Sequence, residues 1–317
     1  MKILRLCVLG GTGFVGTHLV HRLANLGHSV TVLTRRPERH REFRIGSTVR
    51  LLETNPYETD ALQRVLADTD CIINLVGILN EEGKSRFQTA HVELPRGIVK
   101  AMREAGVSRL LHMSALNANV NESHSRYLKT KGEGEDLVHN APGLEVTSFC
   151  PSVVFGRGDS FFNRFAALLR VSPLLFPLAC ANARFAPVYV GDVVEAFVKT
   201  LDDKATIGRR LELCGPKTYS LKQLVQFTAK QIGRKTIITG MPDFAARLQA
   251  YVLGLVPGKP FTIDNYYSLQ KDCVCSKSAL IGLGIAPRSI EALVPTYLGD
   301  SRARSQYFRY RSQARRP

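Results

Sequence analysis

The chain has 317 residues, 44% of them hydrophobic, and a formal charge of +16 at neutral pH. This length suffices for one large domain, or for one domain with a smaller lobe. No uninterrupted apolar stretch reaches the ~18 residues of a membrane-spanning helix, and the short apolar run at the N-terminus leads into glycines rather than into a signal-peptide cleavage site.

A glycine turn lies between the first predicted strand, residues 3–9, and an amphipathic predicted helix, residues 14–26. Its glycines follow the spacing Gly-x-x-Gly-x-x-Gly. Glycine removes the Cβ atom where a pyrophosphate must approach the backbone, and the helix N-terminus then presents free N–H groups to the anion. The pattern predicts a dinucleotide site, with a simple strand-to-helix turn as the alternative. The predicted contact residues are Gly10, Thr12, Gly13, Phe14, Val15 and Gly16.

The second predicted strand, residues 28–33, is followed by Thr34, Arg35 and Arg36. There is no acidic residue between Gly16 and Arg36, so NAD would lack its usual acceptor for the ribose 2′-hydroxyl. Arginine instead pairs with the 2′-phosphate of NADP. We therefore predict NADP(H) as the preferred cofactor, bound by Arg35 and Arg36, with NAD(H) and a merely solvated loop as alternatives.

The strands and helices continue to alternate beyond this point. They are predicted at residues 49–53 (strand), 59–66 (helix), 71–77 (strand), 87–105 (helix) and 109–114 (strand). This alternation predicts an α/β fold with a Rossmann-type doubly wound parallel sheet. Val76, Gly77 and Ser114 end two of the strands, which places them at the carboxyl edge of the sheet, where ligands bind.

A further predicted helix begins at Tyr127 and runs to about residue 140, with Lys131 on the same face. An unperturbed phenol has a pKa near ~10, and a neighbouring ammonium lowers that pKa. Ser114 precedes Tyr127 by thirteen residues and is placed to polarise a carbonyl oxygen. Tyr-x-x-x-Lys is common by itself, and Glu135 is an alternative partner for Lys131. Together with the glycine turn, the three residues predict a catalytic group of Tyr127, Lys131 and Ser114.

The glycine turn, the Tyr-x-x-x-Lys segment and residues 150–156 (Cys-Pro-Ser-Val-Val-Phe-Gly) give the chain a family resemblance. It resembles the extended or atypical short-chain dehydrogenase/reductases. Within them it is most similar to the branch of accessory subunit nine of mitochondrial complex I and its bacterial relatives. The segments that match this branch are residues 74–79, 112–116, 185–192 and 297–298.

The resemblance implies specific roles for the candidate residues. The glycine turn would hold the pyrophosphate, Arg35 the 2′-phosphate, and Tyr127 would act as general acid or base. The other implied contacts are Lys131 to the nicotinamide ribose, Val76 and Gly77 to the adenine side, and Pro151 and Val154 to the nicotinamide. Two positions depart from the pattern. His91 stands where active relatives carry a proton-relaying Asn, and a core-facing role is expected for it. Asn55 stands where relatives often carry Asp.

The second half of the chain is predicted to form a small C-terminal substrate lobe. Its elements are helix 161–171, strand 185–190, helix 193–201 capped by Asp192, strand 210–214, helix 221–232, strand 236–239 and helix 244–255. The apolar segment 172–183 contains Pro173 and Pro177, which prevent a long helix there. This segment is expected to line a substrate pocket, to contact a membrane or to pack in the protein interior. The predicted domains are residues 1–156 (nucleotide-binding core), 157–300 (remaining core elements and lobe) and 301–317 (basic tail).

The basic tail contains six arginines and no acidic residue. Such a segment attracts phosphates, nucleic acid or an anionic membrane alike. No nucleic-acid-binding motif and no metal-ligand spacing occur, so neither partner is predicted. The seven cysteines are odd in number and contain no Cys-x-x-Cys, which predicts reduced thiols. We expect a cytoplasmic protein, with a peripheral position at the inner membrane face as the alternative.

The leading hypothesis is an NADP(H)-dependent reductase or dehydrogenase of an apolar carbonyl or quinone-related substrate. One alternative is a non-catalytic, NADPH-binding accessory or assembly protein of a respiratory or ubiquinone-biosynthesis complex, docked at the membrane by its basic tail. Another is a nucleotide-sugar epimerase or dehydratase. Only Arg209, Arg210 and Arg234 suggest a diphosphate site in the lobe that this last function requires.

Overall fold

A computed structural model describes residues 2–40, 43, 48–83, 85–121, 124–172, 174–256 and 258–298. The predicted basic tail, residues 301–317, lies outside these ranges. No helix in the described part is both long enough and apolar enough to cross a membrane.

The elements alternate along the chain as predicted through its first half. The strands are β1 (Arg5–Leu9), β2 (Ser29–Thr34), β3 (Val49–Glu53), β4 (Cys71–Asn74), β5 (Arg109–Met113), β6 (Glu145–Pro151), β7 (Val154–Phe155), β8 (Leu175–Leu178), β9 (Arg184–Phe185), β10 (Val188–Tyr189), β11 (Arg210–Leu213), β12 (Tyr219–Ser220) and β13 (Ile237–Gly240). The α-helices are α1 (Phe14–Asn25), α2 (Thr59–Leu66), α3 (Leu94–Ala105), α4 (Arg126–His139), α5 (Phe161–Val171), α6 (Val190–Thr200), α7 (Leu221–Gln231), α8 (Asp243–Leu255), α9 (Ile263–Ser268), α10 (Ala279–Gly282) and α11 (Ile290–Leu298). A π-helical segment, Thr89–Glu93, leads into α3.

Seven parallel strands form the central sheet, in the order β11-β6-β5-β4-β1-β2-β3. The strand order reverses at β1, which lies between β2 and β4, and this reversal opens a crevice at the carboxyl ends of β1 and β4. The inner strands are buried on both faces, because helices cover each side of a parallel sheet. One apolar cluster packs α1 and α6 on the sheet, and a second packs α2 and α3. The prediction of a Rossmann-type doubly wound sheet is confirmed.

Most of the elements after β6 lie outside the central sheet and form a smaller lobe, whereas β11 and α6 belong to the core. The lobe contains three two-stranded sheets, β10-β7, β12-β9 and β13-β8. A third apolar cluster joins α5, α7 and α11. The strand predicted at residues 185–190 is wrong as a single element, because Pro187, which has no N–H to donate, separates β9 from β10, and each pairs with a different strand.

Asp192 does not cap a helix. Helix α6 begins at Val190, so Asp192 lies in its first turn. Its buried carboxylate accepts hydrogen bonds from the backbone N and the Nε of Arg288, at 2.8 and 2.7 Å. The predicted capping role is therefore wrong, and Asp192 ties α6 to the segment before α11 instead.

The prediction that all cysteines are reduced is also wrong. Cys214 and Cys275 form a disulfide, with their Cα atoms 6.0 Å apart. The fold brings the residue after β11 against the segment between α9 and α10, a proximity that their separation of 61 residues conceals in the sequence. The other five cysteines, all in the described ranges, carry free thiols.

We expect Cys214→Ser to lower the free energy of unfolding by about 4 kcal/mol, because a cross-link closing a loop of this length restricts the unfolded chain by that amount. Urea denaturation with and without reductant measures the loss. Reductant should lower the midpoint of the wild type and leave that of the variant unchanged. Cys273→Ser, two residues from the disulfide, is the control. Equal midpoints for Cys214→Ser and the oxidised wild type would contradict the expectation.

Candidate active site

The glycine turn is packed so closely against neighbouring backbone that it cannot hold larger residues. Gly10 has φ +77°, in the left-handed region, and a Cβ there would lie 2.9 Å from the carbonyl carbon of Leu75. A Cβ on Gly16 would lie 2.2 Å from the carbonyl oxygen of Gly10. The N-cap of α1 is Gly13, which has no side chain to occupy the first N–H groups of the helix. The turn therefore fits the diphosphate of a dinucleotide.

The structure brings three of the predicted cofactor segments together. The Cβ position of Gly10 lies 3.0 Å from the backbone N of Val76, and that of Gly77 lies 3.0 Å from Nζ of Lys131. The glycine turn, the end of β4 and helix α4 thus meet at the carboxyl edge of the sheet. Several other residues that were predicted to contact the cofactor are half-buried. They are Thr12, Phe14, Val15, Pro151 and Val154.

Arg35 and Arg36 follow β2 and are exposed. Arg35 lines a cleft of about 810 Å³ between α2 and the strands β2 and β3. Arg50 of β3 and Arg64 of α2 line the same cleft, and the sequence analysis did not anticipate them. The carboxylates that also line this cleft are those of Glu53, Glu58 and Asp68. Asn55, the second departure, contacts Oε1 of Glu58 at 2.9 Å and so stabilises a local turn.

Lys131 is buried in α4, and its Nζ donates to the carbonyl oxygen of Met113 at 3.0 Å. Burial lowers the pKa of Lys131 to about 8, although the carboxylate of Glu135 opposes this shift. Lys131 is therefore charged at neutral pH and loses its charge as the pH rises through about 8.

The ring of Tyr127 packs edge-on against Phe87 and His91, with centroids 6.0 and 5.6 Å apart. Burial raises the pKa of Tyr127 above its usual value, and the charge of Asp264 adds to this effect. The expected lowering by Lys131 is not observed, because burial penalises the charged phenolate and Lys131 is not among the groups that shift this pKa. The phenol is protonated at neutral pH and is a weaker acid than the phenol of an unperturbed tyrosine.

Ser114 is buried, and its Oγ donates to Oε2 of Glu135 at 2.6 Å. The other carboxylate oxygen contacts Sγ of Cys150 and Nε of Arg210, both at 3.3 Å. Burial raises the pKa of Glu135. The hydroxyl of Ser114 is thus committed to Glu135 in this structure. Glu135 was not predicted as a site residue, although its place one turn after Lys131 was the available signal.

His91 has both ring nitrogens engaged. Its Nε2 accepts a hydrogen bond from the backbone N of Ile78 at 3.2 Å, so Nδ1 carries the proton toward Oγ1 of Thr130, at 3.0 Å. Burial lowers the pKa of His91 to about 2. The imidazole is therefore neutral and inward-facing, in agreement with the core-facing interpretation rather than a proton relay.

Asp264, from α9 of the lobe, caps the helix that carries Tyr127. Its carboxylate accepts from the backbone N of Arg126 at 2.6 Å and from Oγ of Ser125 at 2.9 Å. The capping residue and the helix are 138 residues apart, so no local sequence signal indicates the contact. Across the described ranges, no group of three or more His, Cys, Asp or Glu is arranged to hold a metal ion.

Comparison with known proteins agrees with this geometry. A family model described as the NAD dependent epimerase/dehydratase family matches residues 6–214. The subunit 9 of the NADH dehydrogenase [ubiquinone] 1 alpha subcomplex from Mus musculus is 32% identical over 268 residues, which cover 81% of this chain and 69% of that protein. A ceramide reductase from Caulobacter vibrioides is 27% identical over 239 residues, with 74% and 73% covered.

Among solved structures, a nucleoside-diphosphate-sugar epimerase from Staphylococcus aureus superposes with a TM-score of 0.74. The superposition covers 93% of this chain and 100% of that one, at 13% sequence identity. At this identity the similarity establishes the fold alone.

Proposed function

This chain belongs to the NAD-dependent epimerase/dehydratase family, and from that premise we propose that it is an NADP(H)-dependent reductase or dehydrogenase of an apolar carbonyl or quinone-related substrate. The observation that carries the proposal is that buried Lys131 lies beside Gly77, at the edge of the sheet where the glycine turn and the end of β4 meet. A buried cation in this position suits an anionic dinucleotide.

Three residues of the protein have separate roles at the reacting carbonyl. When bound, the nicotinamide supplies the hydride. Tyr127 carries its phenol proton at neutral pH and donates it to the carbonyl oxygen. Lys131 orients the nicotinamide ribose, and Ser114 binds the carbonyl oxygen after its hydroxyl turns away from Glu135. A protonated phenol favours the direction of carbonyl reduction.

The preference for NADP(H) is supported by Arg35, which is exposed directly after β2. In parallel titrations, we expect the wild type to bind NADPH more tightly than NADH. Arg35→Glu should reduce this preference by about tenfold to hundredfold, because it replaces a charge-assisted hydrogen bond with repulsion. Arg103→Glu, the same charge change on an exposed position of α3, is the control. Equal affinities of the wild type for the two nucleotides would contradict the preference.

The NADPH-loaded protein is then incubated with a panel of carbonyl compounds and quinones, and NADPH absorbance is followed. The proposed reductase oxidises NADPH with an apolar member of the panel. Ceramide reductase, one of the similar proteins, is named for a lipid, which is consistent with an apolar substrate.

A non-catalytic, NADPH-binding accessory or assembly role is the second candidate. Two observations favour it: the hydroxyl of Ser114 is committed to Glu135, and the pKa of Tyr127 is raised rather than lowered. The similarity to a complex I subunit is consistent with such a role. If the protein has this role, we expect it to bind NADPH, and we expect no member of the panel to oxidise the bound NADPH.

An epimerase function has less support. Of the three arginines that suggested a diphosphate site, Arg210 pairs with Glu135 and Asp136. Arg234 donates to the backbone carbonyl of Arg170. These contacts leave only Arg209 of the original three for a second diphosphate.

A further inference from the structure

Helix α8 has apolar side chains on two opposite faces. Its small residues Ala246 and Ala250 are buried against Ala179 and Tyr266. The opposite face, here called the α8 stripe, consists of Phe244, Leu248, Tyr251, Val252 and Leu255, which are between 51% and 75% exposed. A helix at the surface of a globular protein normally carries one apolar stripe, and that stripe faces the core. A second, uncovered stripe is typical of a surface that meets another apolar phase.

A second exposed apolar group lies in the same lobe, where α5 ends and the β8-β13 sheet begins. This tip patch consists of Val171, Leu174, Leu175 and Ile237, which are between 53% and 82% exposed. Leu175 and Ile237 are paired neighbours in the sheet. Met241, between β13 and α8, donates its N–H to the carbonyl of Leu178 at 3.1 Å and so attaches α8 to the same sheet.

The chain segments that form and adjoin the tip patch are strongly basic. Residues 160–191 and 213–242, which contain α5, the β8-β13 sheet and α7, contain eight lysines and arginines and no acidic residue. Arg170 and Arg234 are exposed and joined by a hydrogen bond beside the tip patch, and Lys235 adjoins them. The only charged residues of α8, Asp243 and Arg247, pair with each other at 3.0 Å.

We propose that the α8 stripe and the tip patch form a docking surface for an anionic lipid bilayer. Aromatic and aliphatic side chains on one helix face suit the boundary between headgroups and acyl chains. The cations beside the tip patch suit anionic headgroups. A second copy of the chain fits less well, because it would place the same cations opposite one another. The interaction with the bilayer requires neither the cofactor nor turnover. The docking proposal can therefore be tested independently of the proposed function.

The chain contains no tryptophan, so one introduced tryptophan is an unambiguous probe. We expect the emission of Leu248→Trp to shift to shorter wavelength with vesicles of phosphatidylcholine and phosphatidylglycerol, and not with phosphatidylcholine alone. Ile281→Trp replaces an equally exposed side chain on α10 and should show no shift. In co-sedimentation with these vesicles, the double variant Leu248→Ser, Leu255→Ser should bind at least about tenfold more weakly. The reason is that two large apolar side chains are no longer transferred from water into the bilayer.

The charge contribution is tested in the same assay. Arg234→Gln with Lys235→Gln should weaken binding at low salt by about tenfold, because each cation near an anionic surface adds attraction. Arg103→Gln on α3 should leave it unchanged. Every variant retains residues 301–317, so full binding by the Leu248→Ser, Leu255→Ser variant would assign the membrane contact elsewhere and overturn the proposal. Absence of wild-type binding to anionic vesicles, or a lipid-free dimer that this variant dissociates, would overturn it as well.

Discussion

Gly16→Val is expected to abolish dinucleotide binding. The first side-chain carbon would lie 2.2 Å from the carbonyl oxygen of Gly10 and 2.6 Å from Cα of Gly11, and both are backbone atoms. A backbone contact cannot be relieved by turning a flexible side chain aside. The turn must therefore open and carry the start of α1 away from the diphosphate. Loss of two or more charge-assisted N–H contacts weakens binding by about hundredfold or more. Titration with NADPH measures the effect.

A milder substitution in the same turn tests whether the loss of NADPH affinity results from misfolding. In Gly13→Ala the new methyl group meets only the carbonyl oxygen of Gly10, at 3.2 Å, so a smaller loss of NADPH affinity is expected. Gly97→Ala in α3, whose nearest neighbour would be Oγ1 of Thr59 at 3.8 Å, is the control and should bind NADPH normally. If a folded Gly16→Val protein bound NADPH with wild-type affinity, the glycine turn would not be part of the cofactor site. Both leading functional hypotheses would then be contradicted.

Tyr127→Phe is expected to lower turnover by about a hundredfold to ten-thousandfold, the contribution typical of a positioned general acid. The substitution removes only the hydroxyl and keeps the ring that packs against Phe87 and His91. The fold and the NADPH affinity should therefore remain close to those of the wild type. The measurement is kcat with the substrate found in the panel, alongside an NADPH titration.

Tyr251→Phe makes the same chemical change on the exposed face of α8 and should leave turnover unaffected. Unchanged turnover in Tyr127→Phe would exclude this phenol as the proton donor. A fall in NADPH affinity as large as the fall in turnover would also contradict the role, since it would place the hydroxyl in cofactor binding instead.

The features that the sequence predicted well are local ones. The glycine turn, the boundaries of α1 and the helix carrying Tyr127 and Lys131 depend on residues within a few positions of each other, where periodicity and backbone freedom act directly. Helix α5 was predicted with the residues that it has in the structure, 161–171. The alternation of these elements was sufficient for the parallel, doubly wound sheet, because few topologies satisfy it.

The state of the site's side chains depends on distant residues. Ser114 is engaged by Glu135, the start of α4 is capped by Asp264, and Asp192 is paired with Arg288 rather than with its own helix. The pKa of Tyr127 is raised by burial and by the charge of Asp264, which belongs to a distant helix.

The sequence by itself determined the type of fold, the position of the glycine turn and the pairing of Tyr127 with Lys131 on one helix face, because each arises from spacing along the chain. Only the tertiary structure decided which partners those side chains have, that Cys214 and Cys275 are joined, and that α8 leaves an apolar face uncovered. The physical reason is that burial, pairing and exposure are properties of neighbours in space, and most of these neighbours are dozens of residues apart in the chain.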